Sequence, residues 1–336
     1  MRIYNPINNL ISILFLFVVF SGCTRQSGNK VGLLLHNMEG RWYTDIEFLK
    51  KHAADAGLEL VVKVADGDEN KQLQQAEELS NEGVGVILVV PVNQNTAAGI
   101  VRTAHESGIP VIAYDRIILN SDLDYLISYE YEQIGQMIAE YCYNKVLKGN
   151  YVMLWGDASD NNAQHMRKGQ EEFLKPFVDR GDIKIIYRSY IEGWSDIVAA
   201  QTMQKVIDFS DQQIDVVMAS NDNIGLGALN VFRKNKIKQP TIITGQDATL
   251  ESCKSILTDS QTMSVYKSTN QLAKEAIQLA KDILSGNKID HVKGLVYNNR
   301  KDVPALFLQP LIVDKSNLYN VVINDGLYTK EELWVN

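Results

Sequence analysis

An acid and a base stand side by side at the end of an aliphatic run, Val111-Ile112-Ala113-Tyr114-Asp115-Arg116. The run has buried-strand character, and in an open α/β sheet ligands bind outside the carboxyl ends of the strands. Asp115 offers fixed acceptors and Arg116 a planar fork of donors. Such a pair suits a small neutral molecule covered in hydroxyls. Similar residues follow other aliphatic runs. Arg41-Trp42 comes after the first, Asp160-Asn161-Asn162 after Tyr151 to Trp155, and Gly193-Trp194 after Ile183 to Ser189. Asn221-Asp222 follows Val216 to Ala219, Gln246-Asp247 follows Thr241 to Thr244, and Lys267 follows Met263 to Tyr266. Acids and amides exchange hydrogen bonds with hydroxyls, Arg and Lys donate, and Trp offers an apolar face to the C–H side of a saturated ring.

Two other readings use the same residues. Asp160, Asn162 and Asp222 serve equally well as helix caps. Asp115, Asp160, Asp222 and Asp247 could also supply the carboxylate pair of a glycoside hydrolase, or hold Mg²⁺. Against catalysis, each acid has a cationic or amide neighbour suited to keeping it ionised, and nothing marks a raised acid or an activated nucleophile. Nucleotide chemistry lacks its motifs: G-x-G-x-x-G, G-x-x-x-x-G-K-[ST] and G-x-S-x-G do not occur. The five histidines, at 36, 52, 105, 165 and 291, form no H-x-x-x-H or Cys/His cluster, so neither a metal nor another cofactor is expected.

The elements that must position these groups follow a β-α beat. Val31 to Leu35, Leu58 to Val64, Val84 to Val90 and Val111 to Tyr114 read as strands. Trp42 to Ala56, Gln72 to Asn81 and Thr96 to Ser107 read as the helices between them. Near-continuous aliphatic strands are covered on both faces, which implies a parallel sheet between helix layers. After a short strand, Tyr125 to Ser128, and a helix, Glu130 to Leu147, the beat restarts, with helices near 165–175, 196–209, 224–234 and 249–257. Gln271 to Leu284 is one more helix, and Ala305 to Leu308 a strand after a polar turn at 298–300. Two units of this size fit 336 residues. They are expected as 31–129 plus about 267–294, and 130–266 plus about 295–336, with several crossings acting as a hinge.

Composition narrows the partners. Hydrophobic residues make up 45% and the formal charge is −8 with no basic run, which argues against a nucleic-acid surface. Ile11 to Phe20 is apolar but too short to span a membrane comfortably, and Phe20-Ser21-Gly22-Cys23 follows it. This resembles a lipoprotein signal. Residues 1–22 would be removed, Cys23 acylated, and 23–30 left as a linker, so that lipid alone touches the membrane. An ordinary secretory cleavage beside an incidental Cys is the alternative. Cys142 and Cys253 lie in apolar-periodic segments and read as buried thiols.

From about residue 30 almost to the end, the chain resembles the periplasmic sugar-binding proteins of ABC transporters, the ribose/galactose-binding group, and within it the xylose branch. The stretches that carry the likeness include Arg41-Trp42, the strand ending in Asp115-Arg116, Asp160-Asn161-Asn162-Ala163, Gly193-Trp194, Ser220-Asn221-Asp222 and Gly245-Gln246-Asp247-Ala248. Thr262-Met263-Ser264-Val265-Tyr266-Lys267 and Lys301-Asp302-Val303-Pro304 complete the set. The resemblance implies a type I periplasmic binding protein: two doubly wound α/β domains joined by a three-crossing hinge that closes on a monosaccharide, D-xylose above others. It implies that Arg41, Asp115, Arg116, Asp160, Asn162, Asn221, Asp247 and Lys267 bond the sugar while Trp194 stacks on its ring. A monomer, a place in the periplasm or cell envelope, and an ABC permease or a sensor kinase as membrane partner are implied with it. The first loop departs from the family, with His36-Asn37 where an acidic Asp-Asp opening is expected.

Overall fold

Three of the four aliphatic stretches of the first third become the centre of a parallel sheet whose two faces are both buried, and the fourth, 59–64, forms its edge. The computed structural model describes residues 28–210, 212–236 and 242–334. Cys23 and the rest of the expected signal and lipid-attachment segment lie outside them. The chain opens with β1 (Lys30–Leu35), α1 (Trp42–Asp55), β2 (Glu59–Val64), α2 (Glu69–Asn81) and β3 (Val86–Val89). It continues through α3 (Ala98–Glu106), β4 (Val111–Tyr114) and β5 (Tyr125–Tyr129). Alternation decides which layer each residue meets. Val31, Leu33, Leu35, Leu88, Ile112 and Tyr114 pack on the α1 side. Leu34, Ile87, Val89, Val111 and Ala113 pack on the opposite layer, with Leu79, Ile100 and Val101. Each fully buried aliphatic side chain contributes about 1.5–3 kcal/mol.

The second unit contains α4 (Tyr131–Lys145), β6 (Gly149–Trp155), α5 (Asn161–Asp179), β7 (Ile183–Tyr190) and a single 3₁₀ turn, Glu192–Trp194. After it come α6 (Asp196–Phe209), β8 (Val216–Ala219), α7 (Asp222–Lys234), β9 (Ile242–Ile243), α8 (Leu250–Leu257) and β10 (Met263–Tyr266). The chain then returns to the first unit through α9 (Thr269–Ser285), which packs on α1, and through β11 (Gly294–Tyr297) and β12 (Asp302–Leu308). It crosses a third time into β13 (Leu311–Asp314), α10 (Leu318–Asn324) and α11 (Lys330–Leu333).

The first sheet runs β11-β12-β5-β4-β3-β1-β2. All its pairings are parallel except β11 with β12. The second runs β7-β6-β8-β9, and a bridge between Gln246 and Val265 joins it to the β10-β13 pair. This is the expected pair of doubly wound domains, and the chain passes between them at 129–131, 266–269 and 308–311.

One boundary differs from expectation. Residues 294–308 join the first sheet, where Ala305 pairs with Leu126 and Leu308 with Tyr129, instead of the second domain. Only the tail from 311 belongs with the second. Strand pairing is a long-range choice, and a polar turn at 298–300 reads the same on either sheet.

Helix α5 begins at Asn161, earlier than the apolar periodicity suggests, because Asp160 caps it by accepting from Asn162 N at 2.9 Å. Its N-terminal end is brought toward the hinge by contact with α4. A Cβ on Gly135 would lie 2.0 Å from the Met166 carbonyl oxygen, and one on Gly169 would lie 1.9 Å from that of Glu132. Only glycine permits so close a helix crossing. Cys142 and Cys253 are free and buried, as expected.

Candidate ligand-binding cleft

The strand-end residues meet between the domains. Arg41, Asp115, Arg116, Asp160, Asn162, Trp194, Asn221, Asp247 and Lys267 all line one cleft. Asp115 is its centre. Its N–H still belongs to the sheet, donating to the Ile127 carbonyl at 2.8 Å. Its backbone then turns to φ +66°, a left-handed conformation that Asp tolerates better than most residues. Asp247 sits at φ +96°. Positive φ at both central acids is the kind of strain that clusters at functional sites.

The Asp115 carboxylate is almost fully buried, and its Oδ1 is the oxygen the protein engages. Tyr131 donates its hydroxyl to Oδ1 at 2.7 Å. Arg41 Nη2 stands 3.0 Å away and Lys267 Nζ 3.8 Å away. Burial alone would push the Asp115 pKa up, but the charges of Arg41 and Lys267 and the Tyr131 hydrogen bond outweigh it and hold the carboxyl well below its usual range. Lys267 also approaches Asp247 Oδ1 at 3.2 Å and donates to the Tyr131 hydroxyl at 2.8 Å.

Arg41 precedes α1, and its guanidinium lies 4.4 Å from the centre of the Trp42 ring. Asp45, one turn along α1, stands behind it, with Oδ2 3.6 Å from Arg41 Nε and Oδ1 accepting from Tyr114 at 2.7 Å. Burial lifts the Asp45 carboxyl to about 6 in spite of Arg41.

The second domain supplies the other wall. Asp160 plays both roles open to it: Oδ1 caps α5 and Oδ2 pairs with Arg116 Nε at 3.1 Å. Asn162 reaches across the domains, its Nδ2 donating to the Asp115 carbonyl at 3.3 Å. Asn221 is the cap of α7, accepting from Ile224 N at 2.9 Å, and it also lines the cleft. Trp194 lies over the end of β6, where a Cβ on Gly156 would come within 2.2 Å of its ring.

Asp222 has a different task. It is fully buried, Oδ2 accepts from Thr249 N at 2.7 Å, and Oδ1 accepts from Ser264 Oγ at 2.9 Å and Gln261 Nε2 at 3.1 Å. Burial pushes its pKa up to about 7. A raised acid therefore does exist in the cleft wall, contrary to the sequence reading, but both its oxygens are held by protein donors.

Three wall residues escaped the sequence reading as ligand groups. Tyr131, the first residue of α4, looks like part of an apolar helix face and becomes a cleft residue only because the chain crosses domains there. Gln246 stands beside Asp247 and carries no distinguishing signal. His36 had one, as the residue ending the first strand. It is 7% exposed, and its ring meets Trp42 edge-on with centroids 4.9 Å apart.

Several buried polar atoms around the cleft make no hydrogen bond to the protein. They include Arg41 Nη1 and Nη2, Asp247 Oδ1, Gln246 Oε1, Trp194 Nε1 and His36 Nδ1. Arg41 and Asp247 are in ion-pair range but outside hydrogen-bond geometry. A buried polar group left unpaired costs about 1–3 kcal/mol. Donors and acceptors from both domains thus converge on one place with capacity to spare, which is what a ligand rich in hydroxyls requires.

The chain is similar to known proteins. Residues 31–288 match the model of the periplasmic binding protein domain. The chain is 33% identical to the D-xylose-binding periplasmic protein of Haemophilus influenzae, over 97% of this chain and 98% of that one. It is 35% identical to the D-xylose-binding periplasmic protein of Escherichia coli, over 90% and 92%. Among solved structures, an ABC transporter solute-binding protein from Clostridium phytofermentans with bound β-D-glucose superposes with a TM-score of 0.85 at 28% identity. That match covers 91% of this chain and all of the other. With the family model spanning most of its length, this chain belongs to the periplasmic binding protein family, whose members bind solutes and are not enzymes.

Proposed function

We propose that the protein is an extracytoplasmic receptor for a monosaccharide, D-xylose in its pyranose form before others, which it delivers to an ABC permease. The observation that carries the reading is the convergence of unpaired buried donors and acceptors from both domains on the Asp115–Arg41–Lys267 cluster. Asp115, Arg116, Arg41, Asn221, Asp247 and Lys267 take the ring hydroxyls, Asp160 and Asn162 close over them, and Trp194 covers the C–H face. The likeness to two D-xylose-binding proteins supports the choice of sugar. A solved relative holds glucose, so selectivity is the point to test.

D-glucose differs from D-xylose by one hydroxymethyl group. A cleft closed around a pentose would leave that group either clashing or with its hydroxyl unpaired. The expected penalty is about 1–3 kcal/mol, or roughly one to two decades in affinity. Titration calorimetry with D-xylose, D-ribose, L-arabinose and D-glucose should rank xylose first. Glucose binding as tightly as xylose would overturn the pentose assignment and leave the receptor fold standing.

We further propose that the mature protein starts at Cys23 and is held at a membrane by acyl chains. Among the described residues, no helix is long and apolar enough to cross a membrane. Intact-mass measurement on membrane-extracted protein should show residues 1–22 lost and lipid gained. An unmodified chain starting elsewhere would end this proposal, as would a Cys23→Ser protein that stays on membranes.

A further inference from the structure

The space between the domains extends past the sugar cleft. A chamber of about 290 Å³ adjoins it, roomier than the cleft itself at about 90 Å³. One wall of the chamber is the segment after β3, with Pro91, Val92 and Gln94. The other is the segment after β6, with Asp157 and Ser159. Gln94 Oε1 accepts from Asn161 N at 3.1 Å and ties the two walls together. Asp157 spends its oxygens on Gly193 N at 2.6 Å and on Ser159 N at 2.8 Å, which makes this wall a fixed surface.

Cleft and chamber share His36, Asn37, Arg116, Asp160, Gly193 and Trp194. The Arg116–Asp160 ion pair therefore lies on the border between them. Three of the shared residues carry buried polar atoms with no protein partner: His36 Nδ1, Asn37 Oδ1 and Trp194 Nε1. His36 stays neutral, because burial and then the charge of Arg116 hold its pKa near 2. A neutral imidazole presents one donor and one acceptor. The chamber thus combines apolar surface from Pro91 and Val92 with the polar side chains of Gln94, Ser159 and Asn161. That mixture fits a second saturated ring rather than a hydrocarbon.

We infer that this chamber is a subsite for a second sugar ring linked glycosidically to the one in the cleft, so that the receptor takes a pentose disaccharide as well as the free sugar. The inference rests on the monosaccharide reading and extends it. The expected behaviour is that xylobiose binds within about tenfold of D-xylose, with methyl β-D-xylopyranoside between them or close to either.

Calorimetry on the full mature chain tests this, with D-xylose, methyl β-D-xylopyranoside and xylobiose as ligands. Val92→Trp should fill the chamber from the first domain and Ser159→Trp from the second. Ser159 is exposed, so its replacement carries little risk to folding. Each variant should weaken xylobiose at least about tenfold while leaving D-xylose within about twofold. D-xylose binding without detectable xylobiose binding would overturn the subsite and keep the receptor. So would a loss shared equally by both sugars in the Ser159→Trp protein, or no loss for either. Failure of every sugar, D-xylose included, would overturn the receptor reading and the subsite with it.

Discussion

Asp115→Ala is expected to remove measurable D-xylose binding, a loss of about three decades or more. The substitution deletes the carboxylate at the centre of the cleft and leaves Arg41 and Lys267 with Asp247 as the carboxylate they still share. Truncating one member of a buried, hydrogen-bonded charge pair costs about 2–5 kcal/mol, and the acceptors lost to the sugar add to that. Asp115→Asn separates the contributions. Asn keeps the shape and tolerates the positive φ of this position, so the fold should survive. It still removes the charge, and its amide can present a donor where Tyr131 also donates. Binding should fall by about two decades. Calorimetry with D-xylose, alongside thermal unfolding to confirm a folded protein, decides the matter. An Asp115→Ala protein that is folded and binds within about tenfold of the parent would remove Asp115 from the site.

Thermal stability should fall as pH rises from about 4 to 7, and Asp222 should account for the largest single share. Its carboxyl titrates near 7 in the fold because it is buried, against the ordinary range near 4 in an unfolded chain. Between those values the native state holds a proton that the unfolded chain has released, so stability drops with rising pH across this window. Each pH unit of separation is worth about 1.4 kcal/mol, giving on the order of 4 kcal/mol in all. Asp45, raised to about 6, acts in the same direction over a narrower window. Asp115 acts in the opposite sense. Its carboxyl is held below the usual range, so the stability it lends is present above about pH 4 and is lost only as pH falls further.

Asp222→Asn keeps the acceptor for Thr249 N and never ionises. It should nearly match the parent at about pH 4 and exceed it at pH 8, raising the unfolding temperature there by several °C, on the order of 2–4 °C per kcal/mol. Urea unfolding at the two pH values gives the same comparison in free energy. A difference between the proteins that does not change with pH would show that Asp222 titrates normally. Asp222→Ala, which strands Thr249 N and the Ser264 hydroxyl donor together, should be destabilised at both pH values.

Both experiments turn on residues whose type was plain in the sequence and whose circumstances were not. Asp115 and Asp222 each follow an aliphatic run, and both were candidate cleft acids on that ground. One proves to be the ionised hub of the site. The other is a structural carboxyl held by protein donors on both oxygens. The difference comes from what faces each group, Arg41 and Lys267 in one case and Thr249, Ser264 and Gln261 in the other. Those neighbours are far away in the chain.

The β-α beat was legible because its cause is local. Buried parallel strands must be aliphatic on both faces, and helices that cover them must repeat at 3.6 residues. Strand ends were legible for the same reason, and in a doubly wound sheet the strand ends are where ligand groups sit. All nine expected residues therefore arrive in one cleft. Tertiary pairing alone decided the rest. It placed residues 294–308 on the first sheet, since β12 could satisfy its backbone hydrogen bonds on any open strand edge and β5 offered one. It made Tyr131 a cleft residue by routing the chain across the hinge beside it. It gave Asp160, already a cap candidate, its ion pair with Arg116, and it brought two short segments after β3 and β6 together as the walls of a second chamber. None of these is encoded by neighbours in sequence, because each depends on which surface the chain meets after the sheets have formed.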